Sequence, residues 1–430
     1  MIFRPVRLKF PAFAKAKNTL LFFALFAVAC GNSVMKKEER GTKQDITENS
    51  LEIKTGADNF ATYRPMLINK KVGIVTNQTG IVKIETEETV VSGGVKEYRR
   101  VFNNVSVVDF LLTRQINIQK IFAPEHGFRG TADAGELIVD GKDSKTGLPI
   151  ISLYGDNKKP KPEQLSGIDV MVFDLQDVGA RFYTYISSLH YLMEACAENN
   201  IPLIVFDRPN PNKDTVDGPV LEKEFTSFVG MHPIPVLHGM TIGEYAKMIN
   251  GQKWLKNGIQ CSLTVIPCLN YNKTMNYNLP VKPSPNLPND QAVNLYASLC
   301  FFEGTNVSVG RGTNKQFQVY GSPFLPQTGY SFTPQPNEGA KDPPHNGKKC
   351  YGEDLSGITK VQKIELKWLI KAYGATTDKK SFFIPFFSKL AGTKKLQQQI
   401  ESGMTETDIR KSWEKGISDF KNIRKLYEMY

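Results

Sequence analysis

A carboxylate, an imidazole and a guanidinium stand within five residues of one another at Glu125, His126 and Arg129. They follow an apolar run, residues 119–123, that stops at Pro124, while Gly127 and Gly130 let the backbone turn tightly among them. Such a cluster just past a buried strand suits proton transfer: the glutamate as acid or base, the histidine to orient it, the arginine to hold an anion. The arrangement recurs. Asn77-Gln78-Thr79 follows the apolar run 72–76, Asp174 to Asp177 and Arg181 follow the run 169–174, and Asp207-Arg208 closes the run 201–207. Further on, Glu303 precedes a glycine-rich stretch, Gly310-Arg311-Gly312, whose exposed amides and single arginine suit a carboxylate or phosphate.

Four polar clusters at strand ends require elements that bring them together. Strands predicted at 72–76, 119–123, 169–174 and 201–207 alternate with helical patterns, among them Ile186, Leu189, Met193 and Cys196 on one helical stripe. That alternation predicts βαβ units, a mostly parallel sheet, and all four clusters on one edge. The fold class is therefore α/β: a Rossmann-like, mostly parallel sheet domain over 59–275, followed by a smaller α/β C-terminal domain over 276–430, with the active cleft between them. The Pro/Asn-rich stretch 271–289 marks the boundary. Residues 325–358 read as a long surface loop, and a stripe through Ile409, Trp413, Ile417 and Phe420, opened by Thr405-x-x-Asp408, reads as a core-facing helix.

The chain has 430 residues, enough for two cores, with 40% hydrophobic and 23% charged residues, both globular values. Arg4, Arg7, Lys9, Lys15 and Lys17 supply five of its +11 formal charges, which leaves about +6 on the body, too dilute for a nucleic-acid surface. No G-x-G-x-x-G follows the first strand and no Walker-type loop occurs, so no nucleotide cofactor is expected. His126, His238, Glu125 and the aspartates lack an H-E-x-x-H spacing, so no metal is expected either. Residues 1–29 read as a lipoprotein signal peptide: a basic segment, a short apolar run, and Ala27-Val28-Ala29-Cys30, where Cys30 would carry lipid. Residues 30–58 read as a flexible tether. The expected location is the cell envelope, periplasm or outer membrane, with membrane contact through the lipid. The other cysteines, Cys196, Cys261, Cys268, Cys300 and Cys350, are odd in number, have no C-x-x-C spacing and read mostly as buried thiols.

These pieces together resemble the bacterial exo-β-N-acetylmuramidases. The resemblance rests on Thr76-Asn77-Gln78-Thr79-Gly80, Pro124-Glu125-His126-Gly127, Thr146-Gly147-Leu148-Pro149, the run 174–185, Asp207-Arg208-Pro209-Asn210-Pro211, Pro283-Ser284-Pro285-Asn286, Glu303-Gly304-Thr305-Asn306 and Gly310-Arg311-Gly312-Thr313. It implies removal of terminal N-acetylmuramic acid from the non-reducing end of peptidoglycan fragments, without a cofactor, and it places the catalytic glutamate at Glu125. Glycoside hydrolysis uses two carboxyl groups in most families. Glu125 is the expected general acid, desolvated by Phe122 and Phe128, with His126 orienting it. Asp177 is preferred as the second group over Asp174 and Asp207, and the substrate's own acetamide is an alternative. Arg181 and Arg311 are the expected partners of the substrate's lactyl carboxylate, with Arg129 and Arg208 behind them. Asn77, Tyr183, Asp174, Asp207 and Glu303 complete the expected sugar-binding set. The rival reading is a non-catalytic peptidoglycan- or sugar-binding lipoprotein on the same fold.

Overall fold

A computed structural model of the chain describes residues 52–92, 95–125, 127–128, 141–327 and 329–430. Strand β1 (Lys71–Thr76) leads into a long hairpin, β2 (Ile81–Ser92) and β3 (Val95–Ser106), and then into β4 (Asn117–Ala123). After them come β5 (Gly141–Lys142), β6 (Pro149–Ser152), β7 (Val170–Asp174) and β8 (Leu203–Phe206). A two-stranded ribbon, β9 (Val216–Asp217) and β10 (Leu237–His238), precedes β11 (Leu263–Ile266). The last strands are β12 (Val319–Ser322), β13 (Tyr330–Phe332) and β14 (Cys350–Asp354).

The main sheet has seven strands in the order β11-β8-β7-β1-β4-β6-β5, and every pairing is parallel except β5 with β6. The chain starts in the middle at β1, builds outward through β4 and β6, then returns to the other side of β1 for β7, β8 and β11. The strand order therefore reverses at β1. Beyond the carboxyl ends of β1 and β7, with β4 alongside, lies the crevice where open α/β sheets bind ligands.

Side chains along β7 explain why this sheet is covered on both faces. Met171 and Phe173 join one apolar cluster, Val170 and Val172 the other, and all four are buried. Alternation sends them to opposite faces, so a strand buried on both reads as one continuous apolar run. One face packs on the helix Tyr185–Glu198 through Ile186, Leu189, Met193 and Cys196, as the stripe predicts. The other packs on Tyr63 and Leu67 of the helix Phe60–Leu67 and on Val107, Val108 and Leu111 of the helix Val107–Thr113. The first cluster runs on into the C-terminal part through Phe301, Phe302, Phe387, Ile409, Trp413 and Phe420.

Two expectations need correction. The chain is already packed before residue 59: Ala57 is fully buried, and Lys54 forms a bridge with Leu269. The segment 325–358 is not simply a loop, because β13 and β14 lie in it and form with β12 a three-stranded antiparallel sheet. Those strands are three and five residues long, set by distant pairing partners and not by a local period. The hairpin β2–β3 has no counterpart in the sequence reading. The five cysteines from Cys196 onward are free and buried, and Thr405 caps the helix Glu406–Lys411 by accepting from the Asp408 amide.

Candidate active site

Strand β4 ends at Ala123, whose carbonyl still accepts from the Leu153 amide at 2.8 Å. Pro124 has no N–H to continue the ladder, so the chain leaves the sheet there. Gly127 closes the turn, donating to the Pro124 carbonyl at 3.1 Å with φ of 75°, a conformation that favours glycine. This geometry presents Glu125 at the strand end, half-buried. Two hydroxyls hold its carboxylate: Tyr154 donates to Oε1 at 3.1 Å and Thr184 to Oε2 at 2.9 Å. Tyr154 lies just past β6, and Thr184 just before the helix Tyr185–Glu198, so three elements fix one carboxylate.

At the end of β1, Asn77 accepts from the Thr79 amide and hydroxyl at 2.9 and 2.6 Å and donates to the Tyr185 hydroxyl at 2.6 Å. The carbonyl of Pro283 then gathers three donors: Tyr183 at 2.9 Å, Gln78 at 3.2 Å and Tyr185 at 3.3 Å. That clasp fixes the Pro283-Ser284-Pro285-Asn286 segment against the sheet edge. Burial raises the pKa of both tyrosines, so they remain neutral donors.

Between these parts lies a cavity of about 120 Å³, lined among others by Glu125, Tyr183, Thr184, Tyr185, Asn286, Tyr296, Glu303 and Arg311. The Nε of Arg311 donates to Glu303 Oε1 at 2.6 Å, and the Cys300 thiol lies 3.5 Å from Oε2. The guanidinium rests over the Phe317 ring at 5.3 Å. Burial opposes its charge, but the Glu303 carboxylate more than offsets this and raises the arginine's pKa. The chain thus brings together Glu125, Tyr183, Glu303 and Arg311 of the expected set.

It does not bring in the others. Arg181 is fully buried, its Nη1 donating to the carbonyls of Pro219 and Ile234 and its Nη2 to those of Leu390 and Ala391, all at 2.8–2.9 Å. Burial lowers its pKa to about 9. A guanidinium whose two Nη groups are spent on four carbonyls joins chain segments, and its remaining N–H, on Nε, is buried and away from the cavity. Arg208 is likewise taken, forming a two-bond fork on Asp174 at 2.6 and 2.9 Å with both residues out of solvent. Asp207 accepts from Thr241, Gly243 and Tyr430, each at 2.7 Å, and burial lifts its pKa to about 6. Asp177 accepts from the Gly179 amide at 2.7 Å, lies 3.6 Å from His238, and is not among the residues lining the cavity of Glu125. Asn77, 1% exposed, acts through Tyr185 and does not reach the cavity itself. These six side chains build the edge; they do not line the pocket. His126, Arg129 and Cys30 lie outside the described residues. The sequence reading missed Thr184, Tyr154, Tyr296 and Asn286. Their only signal was position: Tyr154 follows a strand, and Thr184 lies between two tyrosines that open a helix.

Two family models match the chain, those of exo-β-N-acetylmuramidase NamZ: its N-terminal part over residues 72–291 and its C-terminal part over 294–430. The chain belongs to the NamZ family. It is a glycosidase. Among its NamZ relatives, the peptidoglycan β-N-acetylmuramidase NamZ of Bacillus subtilis is 36% identical over 416 residues, which span 89% of this chain and 93% of that protein. Two crystal structures of DUF1343 family proteins from Bacteroides fragilis share the fold. One has a TM-score of 0.78 at 42% identity, the other 0.68 at 27%, and each match covers 88% of this chain and 99% of the other.

Proposed function

We propose that this NamZ-family chain is an exo-acting hydrolase that releases N-acetylmuramic acid from the non-reducing end of peptidoglycan fragments, with Glu125 as general acid. The observation that carries this reading is the setting of Glu125: past the end of β4, beside the strand-order reversal, held by two neutral hydroxyls and facing a cavity that also contains a guanidinium. Tyr154 and Thr184 fix the carboxyl group so that its proton meets the glycosidic oxygen as that bond breaks. Arg311 supplies the charge that the lactyl carboxylate needs. Its Nε is committed to Glu303, and its two Nη groups have no hydrogen-bond partner among the described residues. The relative from B. subtilis, named for action on peptidoglycan, supports this substrate class. The basic and apolar leader ending at Cys30 supports export and a lipid anchor, which would set the enzyme beside the wall material whose turnover it serves.

Incubation with muropeptide-derived glycan fragments of defined length tests this reading by mass spectrometry. One muramic acid unit should leave per step, from non-reducing ends only. Internal cleavage products, or binding without cleavage, would refute it.

A further inference from the structure

We infer that Glu303 is the second catalytic carboxylate, acting at the anomeric carbon of the substrate while Glu125 acts at the leaving oxygen. The inference rests on the reading of Glu125 given above.

Elimination supplies the first support. Among the described residues lining the cavity, Glu125 and Glu303 are the only carboxylates. Asp174 is locked on Arg208, Asp207 on four donors, and Asp177 lies outside the lining. The two glutamates also arrive from different parts of the fold. Glu125 comes from the carboxyl end of β4, and Glu303 from the turn Cys300–Gly304 after the helix Asp290–Leu299.

The two carboxyl groups are held by different elements and different donors. Tyr154 and Thr184 each donate to one oxygen of Glu125 and so fix the orientation of its carboxyl group. Glu303 has the Arg311 guanidinium at 2.6 Å on Oε1, which fixes that oxygen. Among the described residues its Oε2 meets only the Cys300 thiol at 3.5 Å, a weak donor that leaves this oxygen available to take a proton. Glu303 and Arg311 also line an adjoining cavity of about 510 Å³, which gives the attacking water an entry.

The step balances as a single displacement. Glu125 gives its proton to the glycosidic oxygen as the bond to C1 breaks. Water forms the new bond to C1 and loses a proton to Glu303. The two glutamates then exchange one proton through solvent, which restores the starting state. The lactyl ether sits on C3 of the same ring, so the open Nη edge of Arg311 can hold it while Nε holds Glu303.

The test uses the purified full-length chain, an aryl β-N-acetylmuramic acid glycoside and sodium azide. Glu303→Gln should lower kcat at least 100-fold with KM within about threefold of wild type. Glu303→Ala should regain at least tenfold in azide, and the product should be the α-glycosyl azide, because azide enters through the space left by the carboxylate. Near-normal kcat in Glu303→Gln would overturn the inference and leave the acetamide as the second group. So would a folded Glu303→Ala enzyme that forms no azide adduct and shows only a raised KM, since that is the phenotype of a residue that merely orients Arg311. If Glu303→Ala fails to fold, Glu303→Gln decides alone. Unchanged activity in Glu125→Gln alongside the azide adduct would refute the Glu125 reading and leave Glu303 standing. A wild-type enzyme inert on this substrate overturns both.

Discussion

Two sets of charged side chains gather near the carboxyl edge of the main sheet, and they are built in opposite ways. Around Asp174, Asp207, Arg181 and Arg208, nearly every donor meets an acceptor within the protein: a two-bond fork, four bonds on one aspartate, four carbonyls on one guanidinium. Glu125, Glu303 and Arg311 are oriented by bonds from Tyr154, Thr184 and each other, and all three line one cavity. A buried charge without partners costs several kcal/mol, so the first set must be self-satisfied for the edge to fold at all. The second set lines a cavity where substrate can meet it. Charge at a strand end is therefore no guide to chemistry on its own; what distinguishes the sets is whether a group lines the cavity or is enclosed by the protein.

Substitutions in the two sets should separate stability from turnover. The largest shift is expected from Arg181→Met, which strands four buried carbonyls. Chemical denaturation should show a loss of about 3 kcal/mol or more, and activity per folded molecule should stay near wild type. A selective rise in KM for muramic substrates without loss of stability would move Arg181 into the second set. Next in size, Arg311→Gln should raise KM about 10- to 100-fold for muramic acid glycosides, and much less for N-acetylglucosamine glycosides. Equal losses on both would mean that Arg311 does not read the lactyl group. Thr184→Val and Tyr154→Phe should each lower kcat by about tenfold and leave the melting temperature within a few degrees, since each removes one of the bonds that orient Glu125.

The smallest expected effect concerns pH. His232 joins Tyr245 at 2.8 Å and His190 at 2.9 Å, and burial lowers the pKa of both histidines in the folded chain. Below about 6.5 the unfolded histidines take up protons that the folded ones resist, so stability should fall as pH drops through this range. Thermal melts across that window should be flatter in His232→Phe. An unchanged slope would show that the pair does not control acid sensitivity.

Much of the scaffold was legible because its signals are local. The continuous apolar run 170–174 and the stripe through Ile186, Leu189, Met193 and Cys196 fixed a two-faced sheet and its covering helix, and the Pro124 break placed Glu125 at a strand end. The division of the charged residues was not legible. Arg181 and Arg311 both sit near glycines, and only the fold shows that one faces four carbonyls and the other a cavity. The strands β13 and β14, and the donors Tyr154 and Thr184, escaped for the same reason: their roles come from partners far away in the chain.

The central claim is that Glu125 carries the chemistry and the charged edge behind it does not. Turnover of an aryl β-N-acetylmuramic acid glycoside by wild type and Glu125→Gln, compared at equal folded concentration, tests it most directly. The account predicts release by the wild type, a loss of 100- to 10,000-fold or about that in the variant, and an unchanged melting curve. A folded Glu125→Gln enzyme that releases the aryl group at near wild-type rate would contradict it.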